Sequence, residues 1–474
     1  MILVTSLTLF YALATMDSEN FASAPWVTQT TAVFILCAAL IPLLCEMGQN
    51  VFDPLNPRNL FLLAIALQFG FYPLFILNGG TRIPMFSYAS GSGIETHYVG
   101  AQLLAALGLV CYLLGYSSRR LARRMERMLP GPRPFNPQRV KAISRFLFLA
   151  GYFGAAAIFW KEGGIRQFLE NREQWRAGGM SGSGIFLMPA SMWLPAAALV
   201  PMIQLTRVHE SRRTMAPRLA FLSICLIPVF LLGFRTLIVI PVMQCFAILH
   251  YLRHRVSVLR CISVGLVLVS LMTLYGLSRG AEVTDLDAIE AVGPRASLDY
   301  VFFRCPGTDT VATILNNSRF ADFEYGVSSV IEAATILIPR WLWNGKPVSW
   351  GEQSTTQFFA DYLYMTGNVR ETYGGVSPTA IGYFYLQFGW PGVALGMFFM
   401  GAASKMLYGY GLRHAGPNTA FLLFILIWPL PIMAAEAPPN ALNQVVITLF
   451  CVWLPLSYWA APKGSQQIHA NPRG

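Results

Sequence analysis

Between residues 278 and 376 the chain sets Arg340, Trp341, Trp343 and Lys346 close together, in Pro339-Arg-Trp-Leu-Trp-Asn-Gly-Lys-Pro347. Fixed cations of this kind stabilise negative charge that builds on a leaving group, and indole rings stack on the apolar faces of sugars. Carboxylates accompany them. Asp299, Glu332, Glu352 and Asp361 lie in the same stretch, and Glu436 lies at a short turn further on. A carboxylate within hydrogen-bond reach of a hydroxyl can take its proton during attack. Glu332 is the favoured base, because it is the one acid in the apolar run Gly326–Pro339 and stands one to two helical turns before Arg340. Asp299 is the second choice.

Other cations can serve the same leaving group. Arg235, in Leu231-Leu-Gly-Phe-Arg-Thr236, stands at the tip of a predicted hairpin between two short apolar spans. Its depth there favours a partner or a task, and a headgroup-bound arginine is the alternative. Arg166, Arg172 and Arg176 recur at helical spacings in loop 161–183. Arg172 and Arg176 share one helix face and can grip a diphosphate in bidentate fashion. A solvated amphipathic helix laced by Glu–Arg pairs explains the same pattern. Arg279 opens the long loop as a further contact for the anion.

The elements that position these residues are apolar. Of 474 residues 55% are hydrophobic and 12% charged, and the mean hydropathy is +0.49. Soluble domains carry about 25% charged residues. The pattern predicts an all-α polytopic membrane protein forming a single integral membrane domain over 1–474. About twelve transmembrane helices are expected, near 2–16, 28–46, 58–77, 97–116, 143–160, 184–205, 219–234, 236–252, 260–277, 379–402, 418–434 and 441–460. One large extracytoplasmic loop, 278–376, is expected to contain short interfacial helices. Ser377-Pro378 reads as an N-cap followed by proline at the first helical position.

Basic residues orient the spans. Residues 119–145 hold nine arginines and lysines against Glu126 alone, and smaller basic groups recur near 207–218, 253–260 and 405–413. All fall on one side of the twelve-span scheme with both termini, which makes that side cytoplasmic. The long loop falls on the other side, with seven basic against twelve acidic residues. The net charge of +11 therefore belongs to inner loops facing anionic lipid, not to a nucleic-acid surface. Seven of eight cysteines lie in or beside spans, and no zinc spacing, Walker loop or dinucleotide fingerprint occurs. No cofactor and no metal is implied.

Pro339-Arg340-x-x-Trp343-x-x-Lys346-Pro347, followed by Gly375-Val-Ser-Pro-Thr379-x-Ile-Gly382-x-x-Tyr385-x-x-Phe388-Gly-Trp390-x-Gly392, resembles the Wzy-type oligosaccharide repeat-unit polymerases of bacterial O-antigen and exopolysaccharide synthesis. The early segment Phe52-Asp-Pro-Leu-Asn-Pro-Arg-Asn-Leu-Phe61 and the single large outer loop are similar to that family too. Arg340 and Gly351 match an arginine-x10-glycine pattern of some members, whereas Arg166 reaches Ala177 rather than glycine.

The resemblance implies a GT-C-like fold in the bacterial inner membrane and a metal-independent glycosyltransferase. It implies undecaprenyl-diphosphate-linked oligosaccharides as both donor and acceptor, with membrane lipids and a chain-length-determining co-polymerase as partners. For that reaction the residues read above would serve as follows: Glu332, Asp299 and Arg340 in catalysis, Arg235, Arg340, Lys346, Arg279, Arg176 and Arg172 on the diphosphate, and Trp341, Trp343 and Tyr385 on the glycan. Two alternatives stay open. A lipid-linked glycan ligase or other lipid-linked glycosyltransferase would share the donor, although the outer-loop histidine of such ligases has no counterpart in 278–376. A polysaccharide flippase or other transporter would have short outer loops.

Overall fold

A computed structural model describes residues 25–49, 52–77, 97–177, 184–205, 212–233, 236–253, 255–277, 305–317, 378–436 and 438–460, with isolated positions between 331 and 343. The described residues are helical, and the only extended pairing among them is the single bridge Pro134–Asn418. Among the described residues seven helices are long and apolar enough to cross a membrane: Trp26–Gly48, Pro57–Leu77, Tyr98–Ser117, Pro137–Lys161, Phe186–Gln204, Thr379–Arg413 and Ala441–Ala460. Four further apolar helices are shorter: Ala216–Leu231, Leu237–Leu252, Val258–Leu268 and Thr419–Ala435. The residues form two compact units. The first comprises 1–126, 257–408 and 430–443, and the second 127–256, 409–429 and 444–474.

Local chemistry explains where helices begin. Asn56-Pro57 and Asn136-Pro137 are each a capping asparagine followed by proline at a position whose N–H has no helical partner. Asn56 Oδ1 accepts from Arg58 N, and Asn136 Oδ1 accepts from Gln138 N at 3.0 Å and Arg139 N at 3.3 Å. Ser377 lies outside the described residues, and a different residue caps the following helix. Thr379 Oγ1 accepts from Gly382 N at 3.3 Å. Thr379 takes φ +61°, a left-handed conformation that is costly for a β-branched residue.

The helix Thr379–Arg413 is interrupted at Phe388 (φ −146°, ψ 18°) and Gly389 (φ 63°, ψ −148°). Pro391 is the physical cause. It has no N–H for the Gln387 carbonyl, and its ring clashes with that carbonyl in an unbroken helix. A short segment that begins at Thr379 thus stands apart from the longer one that carries Pro391 onward.

In the first unit, glycines let helices touch backbone to backbone. A side chain at Gly115 would strike the Phe398 carbonyl, and one at Gly401 the Tyr112 carbonyl. Where lipid supplies no hydrophobic drive between helices, such close approach through small residues is what drives association. Phe61 and Tyr112 stack with centroids 3.9 Å apart in the core beside this crossing.

In the second unit the helix Pro137–Lys161 is central. A Cβ on its Gly151 would meet Leu194, and one on its Gly154 would meet the Phe186 carbonyl. Tyr152 Oη donates to the Ile224 carbonyl at 2.7 Å. Gly163 and Gly164, at φ 84° and 108°, turn the chain into the helix Ile165–Ala177. Phe168 anchors that helix against Phe159.

The glycine crossing generates a test. Gly401→Leu should overpack it and lower stability by at least about 1–3 kcal/mol, read as a lower melting temperature of the purified protein. Gly131→Leu, with open space around it, should have no such effect.

Candidate functional site

Within 278–376 the one described helix is Gly307–Asn317. Thr308, Asp309, Thr310, Val311, Ala312 and Ile314 are completely buried, and Thr313 is 1% exposed. Its first turn lies against the middle of the helix Pro57–Leu77. Thr308 Oγ1 donates to the Gln68 carbonyl at 3.1 Å, and a Cβ on Gly307 would meet Gln68 Cβ. Further along, Leu315 closes on Gly100 in the first turn of Tyr98–Ser117, and Ile314 and Val311 pack against Gly382. The helix therefore starts halfway down the first unit and rises toward the end where Leu77 and Tyr98 lie. Its eleven residues rise about 16 Å at 1.5 Å each, roughly half a bilayer's hydrocarbon thickness.

The interfacial helices expected within 278–376, near 326–339 and 352–366, lie almost wholly outside the described residues; the helix Gly307–Asn317 is a different segment. It is enclosed within the bundle rather than lying on its surface. Cys305-Pro306-Gly307 makes the entry. Thr310 N donates to the Pro306 carbonyl at 2.9 Å, and the glycine permits contact with Gln68.

Asp309 sits in the first turn of this helix. The phenol hydroxyls of Tyr72 and Tyr98 donate to its two carboxylate oxygens. Taking a carboxylate out of water costs several kcal/mol. Two phenol donors and the positive end of the helix dipole offset that cost. Gln68 Oε1 and Thr310 Oγ1, on the same first turn and its neighbour, are buried, and neither has a hydrogen-bond partner among the described residues. Residues 66–71 form a π-helical segment, a local widening that recurs at functional sites.

A second polar cluster lies at the opposite end of the same unit, and it is the Phe52–Phe61 segment. Arg58 pairs with Glu46 at 2.6 Å, and its Nε and Nη2 donate to Asn59 Oδ1 at 2.9 and 2.7 Å. Asn59 Nδ2 donates to the Asp53 carbonyl at 2.8 Å. Asp53 accepts from Leu55 N at 3.0 Å and from Tyr408 Oη at 2.8 Å. Tyr116 Oη donates to Asn56 Oδ1 at 3.1 Å, while Arg58 and Lys405 stand 5.1 and 4.8 Å from the Tyr116 ring centroid. This network of partnered groups is a clasp that ties the start of one span to three others.

The sequence-derived site residues are placed unevenly. Glu332, Asp299, Arg340, Arg235, Lys346, Arg279 and Trp341 lie outside the described residues, as do Glu352 and Asp361. Arg172 and Arg176 lie on the helix Ile165–Ala177, and the structure describes its backbone there. Nearer its start Arg166 pairs with Glu170 at 3.1 Å, with both side chains well exposed. That pairing is the solvated-helix alternative realised at one position. Trp343 is 40% exposed, and Tyr385 packs half-buried on the first unit's core. Asp309, Tyr72 and Tyr98 were not among the predicted site residues. Their signal was present: Gly307-Thr-Asp-Thr310 opens an apolar run too short to span a membrane, and two tyrosines sit inside or at the end of spans.

Comparison with protein-family models, with curated proteins and with solved structures gave no match. The fold and the site define the class as far as a helical protein with helices long and apolar enough to cross a membrane and a carboxylate enclosed among them.

The clasp is open to test. Asn59→Ala would remove the bonds that Asn59 makes to Arg58 and to the Asp53 carbonyl. It should cost about 1–3 kcal/mol, seen as a lower melting temperature, and Lys405→Met should cost less.

Proposed function

We propose that this protein is a polymerase that joins undecaprenyl-diphosphate-linked oligosaccharide repeat units at the outer face of the bacterial inner membrane. In this reading twelve spans put both termini in the cytoplasm and loop 278–376 outside. The acceptor is one lipid-linked repeat unit, and the donor is the growing lipid-linked chain. An acceptor hydroxyl attacks the anomeric carbon of the donor's first sugar, and undecaprenyl diphosphate leaves. Arg340, Lys346 and Arg235, with Arg279, Arg172 or Arg176, stabilise the charge on the departing diphosphate without a nucleotide. Trp341, Trp343 and Tyr385 face the glycan. The energy comes from the diphosphate bond.

The observation that carries the reading is the order of motifs from Pro339–Pro347 to Gly375–Gly392. The enclosure of a loop carboxylate, Asp309, by two phenols adds to it, because a charged group held among spans has a task by default.

Cells lacking the protein should carry single repeat units on undecaprenyl diphosphate or on lipid A. Mass analysis of the lipid-linked pool reads this directly. Loss of all surface glycan would instead make the protein a flippase. In the purified protein, Arg340→Ala should slow chain extension by about 10²–10³-fold, with only partial recovery in Arg340→Lys, which lacks the planar fork. Extension at the wild-type rate by Arg340→Ala would remove Arg340 from the leaving-group site.

A further inference from the structure

After the helix Tyr98–Ser117 the chain turns at Ser118 (φ −73°, ψ 79°) and forms the helix Arg119–Glu126. We infer that this short helix, with Lys405 beside it, is a docking site for the headgroups of anionic glycerophospholipids.

The charge on the helix is one-sided. At about 100° per residue, Arg119, Arg123, Arg120 and Arg124 occupy a single arc of about 140°, and all four are exposed. Ala122 and Glu126, the one acid of the helix, fall outside that arc and are buried, at 5% and 8% exposure. Leu121 and Met125 are half-buried on the remaining side. The acid thus faces the protein, and the guanidinium groups face outward.

A second observation asks for an anion at the same place. Lys405 stands 4.8 Å from the ring centroid of Tyr116, and Arg119 and Arg58 both bear on it electrostatically. Glu46 pairs with Arg58 at 2.6 Å. Among the described residues no carboxylate pairs with Lys405 or Arg119. Lys405 and Arg119 are left to repel one another, and a phosphate between them removes that repulsion.

Location selects the source of the phosphate. The helix follows the last turn of an apolar span by one residue, so its arginines stand at headgroup height, where basic residues meet anionic lipid. A phosphodiester accepts the forked donors of a guanidinium. The apolar flank of Leu121 and Met125 suits an interfacial helix whose other side meets acyl chains. An acidic protein or a nucleic acid has no use for that flank. Such a site serves any protein in which Tyr98–Ser117 crosses the membrane, whatever reaction it carries out.

The test uses full-length protein stripped of lipid in a neutral detergent. Phosphatidylglycerol or phosphatidylcholine is added, and bound lipid is counted by native mass spectrometry. The wild-type protein should bind phosphatidylglycerol more tightly, and added salt should weaken that binding, because exposed charges are screened. Each basic residue at an anionic surface strengthens association about fivefold. The variant Arg119→Gln, Arg120→Gln, Arg123→Gln, Arg124→Gln should therefore lose at least about 10²-fold of the preference, and Lys405→Gln about fivefold. Equal binding of the two lipids by the wild-type protein would overturn the site. So would a comparable loss in Arg253→Gln, Arg255→Gln, Arg260→Gln, which leaves this helix intact. Should the fourfold variant fail to fold, Arg120→Gln with Arg124→Gln decides: a loss of more than about tenfold supports the site, and an unchanged preference overturns it. A polyglutamate peptide or an RNA oligonucleotide held by these arginines more tightly than phosphatidylglycerol would make the occupant an acidic macromolecule and overturn it too.

Discussion

A carboxylate enclosed among apolar helices has to be solvated by protein, and in the first unit that requirement fixes the path of the chain. Asp309 needs donors, and Tyr72 and Tyr98 supply them from two spans. Once those bonds form, the helix Gly307–Asn317 is held inside the bundle, and a segment of the long polar loop becomes part of the core. Bilayer interiors tolerate such a segment only where it is buried in protein with its backbone satisfied. The threonines serve this end: Thr308 bonds the Gln68 carbonyl and Thr313 bonds the Asp309 carbonyl at 2.8 Å.

The same rule shapes the other end of that unit with a different outcome. There Asp53, Asn56, Arg58 and Asn59 are partnered by one another and by Glu46, Tyr116 and Tyr408. A network satisfied in this way is a fastener, and it holds the helix starts in register. Around Asp309 two neighbouring polar atoms, Gln68 Oε1 and Thr310 Oγ1, have no partner among the described residues. Beside the clasp, glycines at 115 and 401 bring the helices Tyr98–Ser117 and Thr379–Arg413 backbone to backbone.

Much of this was legible in the residues. Apolar runs gave the helices, because a helix of about twenty residues is what an apolar run of that length forms in lipid. Asn-Pro pairs marked two helix starts. The fate of Ser377-Pro378 was not legible, because capping by Thr379 depends on a left-handed backbone that tertiary packing imposes. The break at Phe388–Gly389 could be read from Pro391 but was absorbed into one long span. Asp309 was passed over because its neighbours Gly307, Thr308 and Thr310 read as loop residues. Only the contacts with Gln68, Tyr72 and Tyr98, more than 200 residues away in sequence, turn them into core. Glu332, favoured as the one acid in the apolar run before Arg340, lies outside the described residues.

The central claim is that the helix Gly307–Asn317 packs among the apolar helices of the first unit and carries Asp309 with it. Thiol accessibility in intact cells tests it most directly. In a protein freed of its native cysteines, Thr313→Cys, at a position 1% exposed, should resist a membrane-impermeant maleimide that labels Ser354→Cys in the same loop. Rapid labelling of Thr313→Cys in a correctly folded protein would place that helix at the surface and contradict the account.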